Sequence, residues 1–160
     1  MSLGTFRETD IERLKDLLMR CEIKGLILDI DATLCNHGSE VLDEDIVGRL
    51  NFLKEDISLC FASNNGGQRN ASLSRQYDIP VAVASRPKPY PDLYQNGMHI
   101  MGTTRENTAM GGDRAITDIA GANRLGIMTL QFEPMGLQTE PTKMKIARRF
   151  EKAIYQFIMH

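Results

Sequence analysis

The chain has 160 residues, of which 42% are hydrophobic, so it is the right size for one folded domain with a single core. Its net charge of −2 argues against nucleic-acid binding, and no apolar run reaches the 18 residues that a membrane-spanning helix requires. Three cysteines without paired spacing, and no signal-peptide pattern, favour a reducing, cytoplasmic location.

Helices and strands are predicted to alternate along the chain. A first helix, capped by Thr9 or Asp10 and running to about Arg20, leads into an apolar strand over 25–30. A continuous apolar run of this kind is typical of a parallel strand buried on both faces. The alternation predicts an α/β, three-layer sandwich with a central parallel five-stranded sheet. The later elements are helices over 43–53, 68–77, 92–101 and 117–125, and strands over 57–62, 81–84, 108–111 and 127–132.

A loop over 133–141 separates this sandwich from a last basic amphipathic helix, predicted over about 142–159. The segment 141–160 carries five basic residues and one acidic residue, a local charge of +4. Such a helix either packs on the sandwich with solvated lysines or makes peripheral contact with an acidic membrane or a partner. The sequence leaves these alternatives open. Apolar residues fall on one stripe of the helix at Met144, Ala147, Phe150, Ile154 and Phe157.

Four aspartates follow two of the predicted strands. Asp29 and Asp31 end the first strand, Asp113 follows the strand over 108–111, and Asp118 lies in the first turn of the next helix. Open α/β sheets bind ligands at the carboxyl ends of their strands. Two close carboxylates repel by about 4 kcal/mol at an effective dielectric near 20, and a hard divalent cation such as Mg²⁺ relieves that repulsion.

These residue types suit the hydrolysis of a phosphate monoester, which requires a nucleophile, an acid, a metal and neutralisation of charge. Asp29 is the candidate nucleophile, forming an aspartyl-phosphate. Asp31 is the candidate acid that protonates the leaving oxygen and the base that then activates water. Asp113 is the candidate direct metal ligand, and Asp118 is expected to act through water or by orienting a lysine.

The phosphoryl oxygens need donors and positive charge. Ser63 and Asn64 follow the second strand and offer a hydroxyl, an amide and backbone N–H groups. Lys88, between two prolines, adds a fixed cation. These three residues are the predicted phosphate-binding group, and Lys88 is also predicted to be catalytic.

Taken in order and spacing, the segments 29–33, 63–64, 88–89 and 112–118 resemble the four motifs of the haloacid dehalogenase (HAD) superfamily. The segment 117–126 resembles the YqeG-type branch of its capless subfamily IIIA. The resemblance implies a Rossmann-like HAD fold with strand order 5-4-1-2-3, Mg²⁺ dependence and phosphatase activity. It also implies that Asp29 and Asp113 bind the metal by side chain and Asp31 by its backbone carbonyl. Ala32 stands where the YqeG-type branch often has Asn.

Substrate choice is less determined. Only 29 residues separate Thr33 from Ser63 and 23 separate Asn64 from Lys88, so neither interval has room for a cap domain. The site is therefore expected to be open, to admit large substrates, or to borrow a lid from a second copy in a homo-oligomer. By resemblance, the substrate is a phosphorylated small molecule or a lipid head group of the phosphatidylglycerophosphate type. The alternatives are a soluble sugar or nucleotide phosphatase and a phosphoaspartate-bearing regulatory module without turnover.

Overall fold

A computed structural model describes residues 3–64, 67–138, 140 and 142–158, with backbone alone at 144 and 152–158. The described residues form one parallel sheet of four strands in the order β2-β1-β3-β4. The strands are β1 (Gly25–Leu28), β2 (Ser58–Phe61), β3 (Thr108–Gly112) and β4 (Met128–Gln131).

The sheet has four strands rather than the predicted five, because the segment over 81–84 does not form a strand. In its place Val81 forms an isolated bridge to Phe61. Pro80 has no N–H to donate, and the N–H of Val83 is bonded to the side chain of Asn96 at 2.8 Å rather than to a strand. The segment nevertheless lies beside β2, so the spatial order agrees with the 5-4-1-2-3 pattern that the resemblance implies.

The helices lie close to their predicted positions. The Asp10 carboxylate caps the first helix by accepting a hydrogen bond from the Arg13 N–H at 3.1 Å. The segment over 117–125, predicted as one helix, instead begins as a π-helix at Ala115–Ala120. The α-helices are α1 (Ile11–Arg20), α2 (Glu44–Lys54), α3 (Gln68–Tyr77), α4 (Asp92–Met101), α5 (Gly121–Asn123) and α6 (Thr142–Ile158), with a 3₁₀ turn at Arg105–Asn107.

The central strand β1 is buried on both faces, as its continuous apolar run predicts. Leu26 and Leu28 point into the larger core, which also contains residues of α1 and α2. Ile27 points to the opposite face, where it packs with Tyr94 of α4. The sheet and the helices on its two faces therefore form the three predicted layers. Within the sheet, the carboxyl end of β1 lies between β2 and β3.

Helix α6 directs Arg148 and Glu151 toward the protein and Ile146 and Phe150 toward solvent. Phe150, on the predicted apolar stripe, is 67% exposed, and Ile146 is 50% exposed. On the inward side, Arg148 and Glu151 form ion pairs with residues near the end of β3. The remaining apolar positions of the predicted stripe, apart from the half-buried Ala147, lie outside the described side chains.

Candidate active site

The carboxyl ends of β1 and β3 bring three aspartates together. Carboxylate oxygens of Asp29, Asp113 and Asp118 all lie within 4.8 Å of one another. Each of these residues is less than a tenth exposed. The Asp29 N–H donates to the Gly111 carbonyl at 2.9 Å, so the backbone pairing of β1 with β3 extends to Asp29 itself.

Local backbone geometry brings Asp118 into this group. The first turn after β3 is π-helical, and within it the Asp118 Oδ2 accepts a hydrogen bond from the Arg114 N–H at 3.1 Å. Gly112 permits the approach, since a Cβ atom at this position would collide with the Asp118 carboxylate. A π-turn and a glycine thus place the fourth predicted aspartate beside Asp29 and Asp113.

Lys88 lies between two of the three carboxylates. Its ammonium contacts Asp29 and lies 2.6 Å from Asp118 Oδ1, and it also donates to the Ala62 carbonyl at 3.2 Å. The Asn64 amide holds the lysine loop by accepting from the Lys88 N–H at 2.7 Å and donating to the Lys88 carbonyl at 3.2 Å. Asn64 therefore fixes the backbone of Lys88 in addition to lying at the site.

Asp31 lies beside the aspartate group and has a different set of partners. Two nitrogens of Arg69 lie 3.0 Å from its two carboxylate oxygens. The Gly38 N–H donates to Oδ1 at 2.9 Å, and the Ser63 hydroxyl lies 3.5 Å from Oδ2. His37 Nδ1 is 3.8 Å from Oδ1. The predicted acid and base is thus held by an arginine that lies 38 positions away along the chain.

The aspartate group carries more negative charge than its neighbours compensate. Burial raises the pKa of Asp29 well above its ordinary value; Lys88 opposes this shift, and the charges of Asp118 and Asp113 add to it. Burial also raises the pKa of Asp113, with Asp118 contributing. Burial by itself lowers the pKa of Lys88, but the attraction of Asp118 and Asp29 raises it overall, so the lysine is a cation at neutral pH.

A divalent cation fits this donor set. Among the described residues, Asp113 Oδ2 and Asp118 Oδ1 are buried, and the partner of each is a cationic nitrogen 2.6 Å away. Buried carboxylate oxygens need such partners, and they are the ligands that hard divalent cations prefer. Asp29 and Asp113 would hold the ion by side chain; Asp118, whose Oδ1 lies 2.6 Å from the Lys88 ammonium, and the Asp31 carbonyl stay predicted contributors.

An arginine of helix α6 reaches the aspartate group. Arg148 Nη1 lies 2.6 Å from Asp113 Oδ2, and its Nη2 donates to Glu140 Oε1 at 2.7 Å. The Thr33 hydroxyl donates to the other oxygen of Asp113 at 3.0 Å. The sequence offered no signal for Arg148 beyond the positive charge of the last helix, because its partner Asp113 lies 35 positions away.

The site opens into a cavity of about 170 Å³. A second cavity, of about 570 Å³, shares Ser63 and Asn64 with the first, and its lining includes Ala82, Val83 and Leu93. All seven predicted site residues lie in or beside the first cavity. Five of the predicted residues line it directly: Asp29, Asp31, Ser63, Asn64 and Lys88. The lining also includes His37, Arg114, Glu140 and Arg148.

A parallel α/β sheet with a buried aspartate group and a lysine at its carboxyl edge is the architecture of HAD-type hydrolases. The comparisons agree: the HAD-hydrolase-like family model matches residues 85–133, which include Lys88, Asp113 and Asp118. Over these residues the chain is similar in sequence to HAD-type hydrolases, and its Rossmann-like three-layer fold is that of the HAD-family structures it superimposes on.

Two curated relatives are phosphatases by name. The chain is 28% identical over 114 residues to the probable phosphatase YqeG of Bacillus subtilis, which covers 71% of this chain and 66% of that protein. It is 34% identical over 86 residues to the chloroplastic phosphatidylglycerophosphate phosphatase 1 of Chlamydomonas reinhardtii, covering 54% of this chain and 32% of that protein. These matches are consistent with subfamily IIIA.

Solved structures share the fold. A 2-haloacid dehalogenase from Pseudomonas syringae pv. Tomato DC3000 superimposes with a TM-score of 0.57 at 14% identity, covering 76% of this chain and 91% of that one. An uncharacterized protein from Listeria monocytogenes serotype 4b gives a TM-score of 0.55 at 18% identity, covering 67% and 76%. At these identities the likeness describes the fold alone.

Proposed function

We propose that this protein is a Mg²⁺-dependent phosphomonoesterase that works through an aspartyl-phosphate on Asp29. The observation that carries the proposal is the position of Asp29: it is buried, in contact with the Lys88 ammonium, and within 4.8 Å of Asp113 and Asp118. Such a group binds a phosphate only when cations neutralise its charge. The three carboxylates supply a metal site for that purpose, and Lys88 supplies a second positive charge.

In the first half-reaction, a carboxylate oxygen of Asp29 attacks the phosphorus, and the bond from phosphorus to the leaving oxygen breaks. Asp31 donates its proton to that oxygen. In the second, Asp31 takes a proton from water, whose oxygen attacks phosphorus and releases Asp29 and inorganic phosphate. A bound Mg²⁺ supplies charge neutralisation for the phosphoryl oxygens. Ser63 and the Lys88 ammonium face the same oxygens in both steps.

Replacing the nucleophile tests the proposal. Asp29→Asn is expected to abolish the Mg²⁺-dependent hydrolysis of p-nitrophenyl phosphate, because an amide oxygen cannot form the acyl phosphate. Asp16→Asn is the matched control, since Asp16 is exposed on α1 and belongs to none of the motifs. EDTA is expected to remove the activity of the unmodified chain. Full activity in Asp29→Asn, with a circular dichroism spectrum like that of the parent, would refute the nucleophile.

For the substrate we propose a lipid phosphate of the phosphatidylglycerophosphate type, presented at an anionic membrane surface. The relative from Chlamydomonas reinhardtii bears that activity in its name. The site has no cap over it among the described residues, and the adjoining cavity, whose lining includes Ala82, Val83 and Leu93, offers room for the body of a substrate beyond its phosphate. No helix among the described residues is long and apolar enough to cross a bilayer, so contact would be peripheral.

Helix α6 provides the proposed membrane contact. Its outward face combines the exposed apolar side chains of Ile146 and Phe150 with the exposed basic residues Lys143, Lys145 and Arg149. Apolar side chains flanked by basic ones are the pattern of helices that lie at anionic membrane surfaces. The same helix carries Arg148 on its inward side, so docking by this face would bring the catalytic cavity near the lipid head groups.

Two assays separate the substrate classes. Phosphate release is measured on phosphatidylglycerophosphate in vesicles and on a panel of soluble sugar and nucleotide phosphates. Sedimentation with anionic and with neutral vesicles is compared for the parent chain and for Phe150→Ser. We expect selective turnover of the lipid and weaker anionic-vesicle binding by the variant. Preference for a soluble phosphate would overturn the lipid proposal and leave the phosphatase proposal intact.

The three cysteines are free in the structure, and we propose a reducing cytoplasmic compartment for the chain. Burial raises the pKa of the Cys35 thiol to about 11 and that of the Cys60 thiol to about 12. Both thiols are therefore protonated at neutral pH, and neither takes part in the proposed reaction.

A further inference from the structure

One ion pair links the last helix directly to the metal-binding group. Asp113 Oδ1 accepts the Thr33 hydroxyl, so Oδ2 is the oxygen that remains for a cation. The Arg148 guanidinium lies 2.6 Å from that oxygen. A metal ion ligated by Oδ2 and a guanidinium at this distance cannot share it, since two desolvated cations would then lie in direct contact.

The charges favour exchange of the arginine for the metal. With Lys88 and Arg148 in place, the three carboxylates of Asp29, Asp113 and Asp118 retain a net charge of −1. If a divalent ion replaces Arg148 at the group, the net charge becomes zero. The displaced guanidinium keeps a buried partner, because Glu140 is only 5% exposed and lies 2.7 Å from Arg148 Nη2.

We propose that Arg148 is a positioning residue that competes with the divalent cation for Asp113, so that metal entry and the seating of helix α6 are coupled. In the metal-free chain Arg148 holds Asp113 and anchors α6 over the site. When the cation binds, the guanidinium turns away from Asp113 and stays with Glu140 at the wall of the catalytic cavity. The inference rests on the metal site of the proposed function.

The coupling has a limited reach because α6 has a second tether. Glu151, one turn further along the helix, pairs with Arg114 at the start of the π-helix. That contact does not involve a metal ligand, so it persists when the cation binds. The expected motion is therefore a loosening of the first turns of α6, around Arg148, rather than release of the whole helix.

Metal affinity tests the competition without relying on activity. Mn²⁺ titrations by calorimetry are compared for the parent chain, Arg148→Gln and the matched control Arg149→Gln, which removes an exposed charge from the adjacent position. We expect Arg148→Gln to bind Mn²⁺ about tenfold more tightly, and Arg149→Gln to bind like the parent. Equal or weaker binding by Arg148→Gln, in a variant that keeps its circular dichroism spectrum, would overturn the proposal.

Hydrogen exchange on the unmodified chain gives a second measurement that needs no variant. Amides of residues 142–150 are expected to exchange faster when Mn²⁺ is added, while those of α1 remain unchanged. Unchanged or slower exchange in 142–150 at saturating Mn²⁺ contradicts the coupling. A different result would refute the phosphatase proposal alone: the chain would bind Mn²⁺ and show faster exchange in α6, but it would not hydrolyse phosphate esters. A chain that binds no Mn²⁺, with or without Arg148, refutes the competition as well.

Discussion

Lys88→Met is the substitution whose effect on folding can be worked out most directly from the structure. Lys88 is 4% exposed, and its ammonium lies against Asp29 and Asp118, two carboxylates that are themselves buried. Methionine has a similar length and no charge, so the variant leaves both carboxylates facing each other without a cation. Removing one partner of a buried ion pair costs about 3–5 kcal/mol.

That loss is large compared with the total stability of a typical domain, which is about 5–15 kcal/mol. At roughly 2–4 °C per kcal/mol for a chain of this size, the melting temperature in EDTA should fall by about 6–20 °C. The assay is thermal unfolding followed by circular dichroism. Lys24→Met is the control, because Lys24 is exposed, and its effect should stay within about 0.5 kcal/mol.

A double variant separates the electrostatic explanation from a simple packing defect. If uncompensated charge causes the loss, Lys88→Met combined with Asp118→Asn should be more stable than Lys88→Met alone, and added Mg²⁺ should stabilise Lys88→Met more than the parent. The reasoning is refuted if Lys88→Met unfolds within 2 °C of the parent in EDTA. It is also refuted if neither the second substitution, Asp118→Asn, nor added Mg²⁺ raises the melting temperature of Lys88→Met.

Three further predictions concern the surroundings of the site. Because burial raises the pKa of Asp29, the folded chain binds its proton more tightly than the unfolded chain, so Asp29 reduces stability progressively as the pH rises from about 4 through the raised pKa. Urea titrations in EDTA measure the free energy of unfolding of Asp29→Asn and of the parent. Over that pH range the difference should grow in favour of the variant, and a pH-independent difference would contradict the raised pKa of Asp29. Ala32 has a φ of 61°, a left-handed conformation that costs an L residue about 1–2 kcal/mol, so Ala32→Gly should stabilise the chain by about 0.5 kcal/mol after the greater flexibility of unfolded glycine is counted. A lower urea midpoint for that variant would argue against strain in the turn. Thr33→Val removes the donor to Asp113 Oδ1 and should destabilise the chain by about 1–3 kcal/mol, with weaker Mn²⁺ binding in calorimetry; unchanged affinity would show that the hydroxyl does not position the ligand.

Local patterns in the sequence account for most of the architecture. The helices over 68–77 and 92–101 occupy the predicted residues, and the apolar run of β1 is buried on both faces as expected. The motif aspartates could be predicted as neighbours because the carboxyl ends of adjacent parallel strands share one edge of the sheet. Chain order and spacing were sufficient for this, since each motif directly follows its own strand.

Other features depended on contacts between distant segments. The segment over 81–84 has the composition of a strand, but its pairing with β2 stops at one bridge: Pro80 lacks a donor, and the Val83 N–H, on the edge away from β2, is bonded to Asn96. The π-helical turn that brings Asp118 inward depends on the close approach allowed by Gly112. Neither feature leaves a periodic signal, because each is decided by a partner outside the local window.

The sequence by itself determined an α/β chain whose aspartates and lysine gather at one edge of a parallel sheet. Only the tertiary structure decided which cations those carboxylates meet: Arg69 on Asp31 and Arg148 on Asp113. It also decided that α6 directs Arg148 and Glu151 inward and Phe150 outward. The physical reason is range: helix and strand patterns arise from neighbours along the chain, whereas a buried charge selects its partner from whatever the fold brings within a few ångströms.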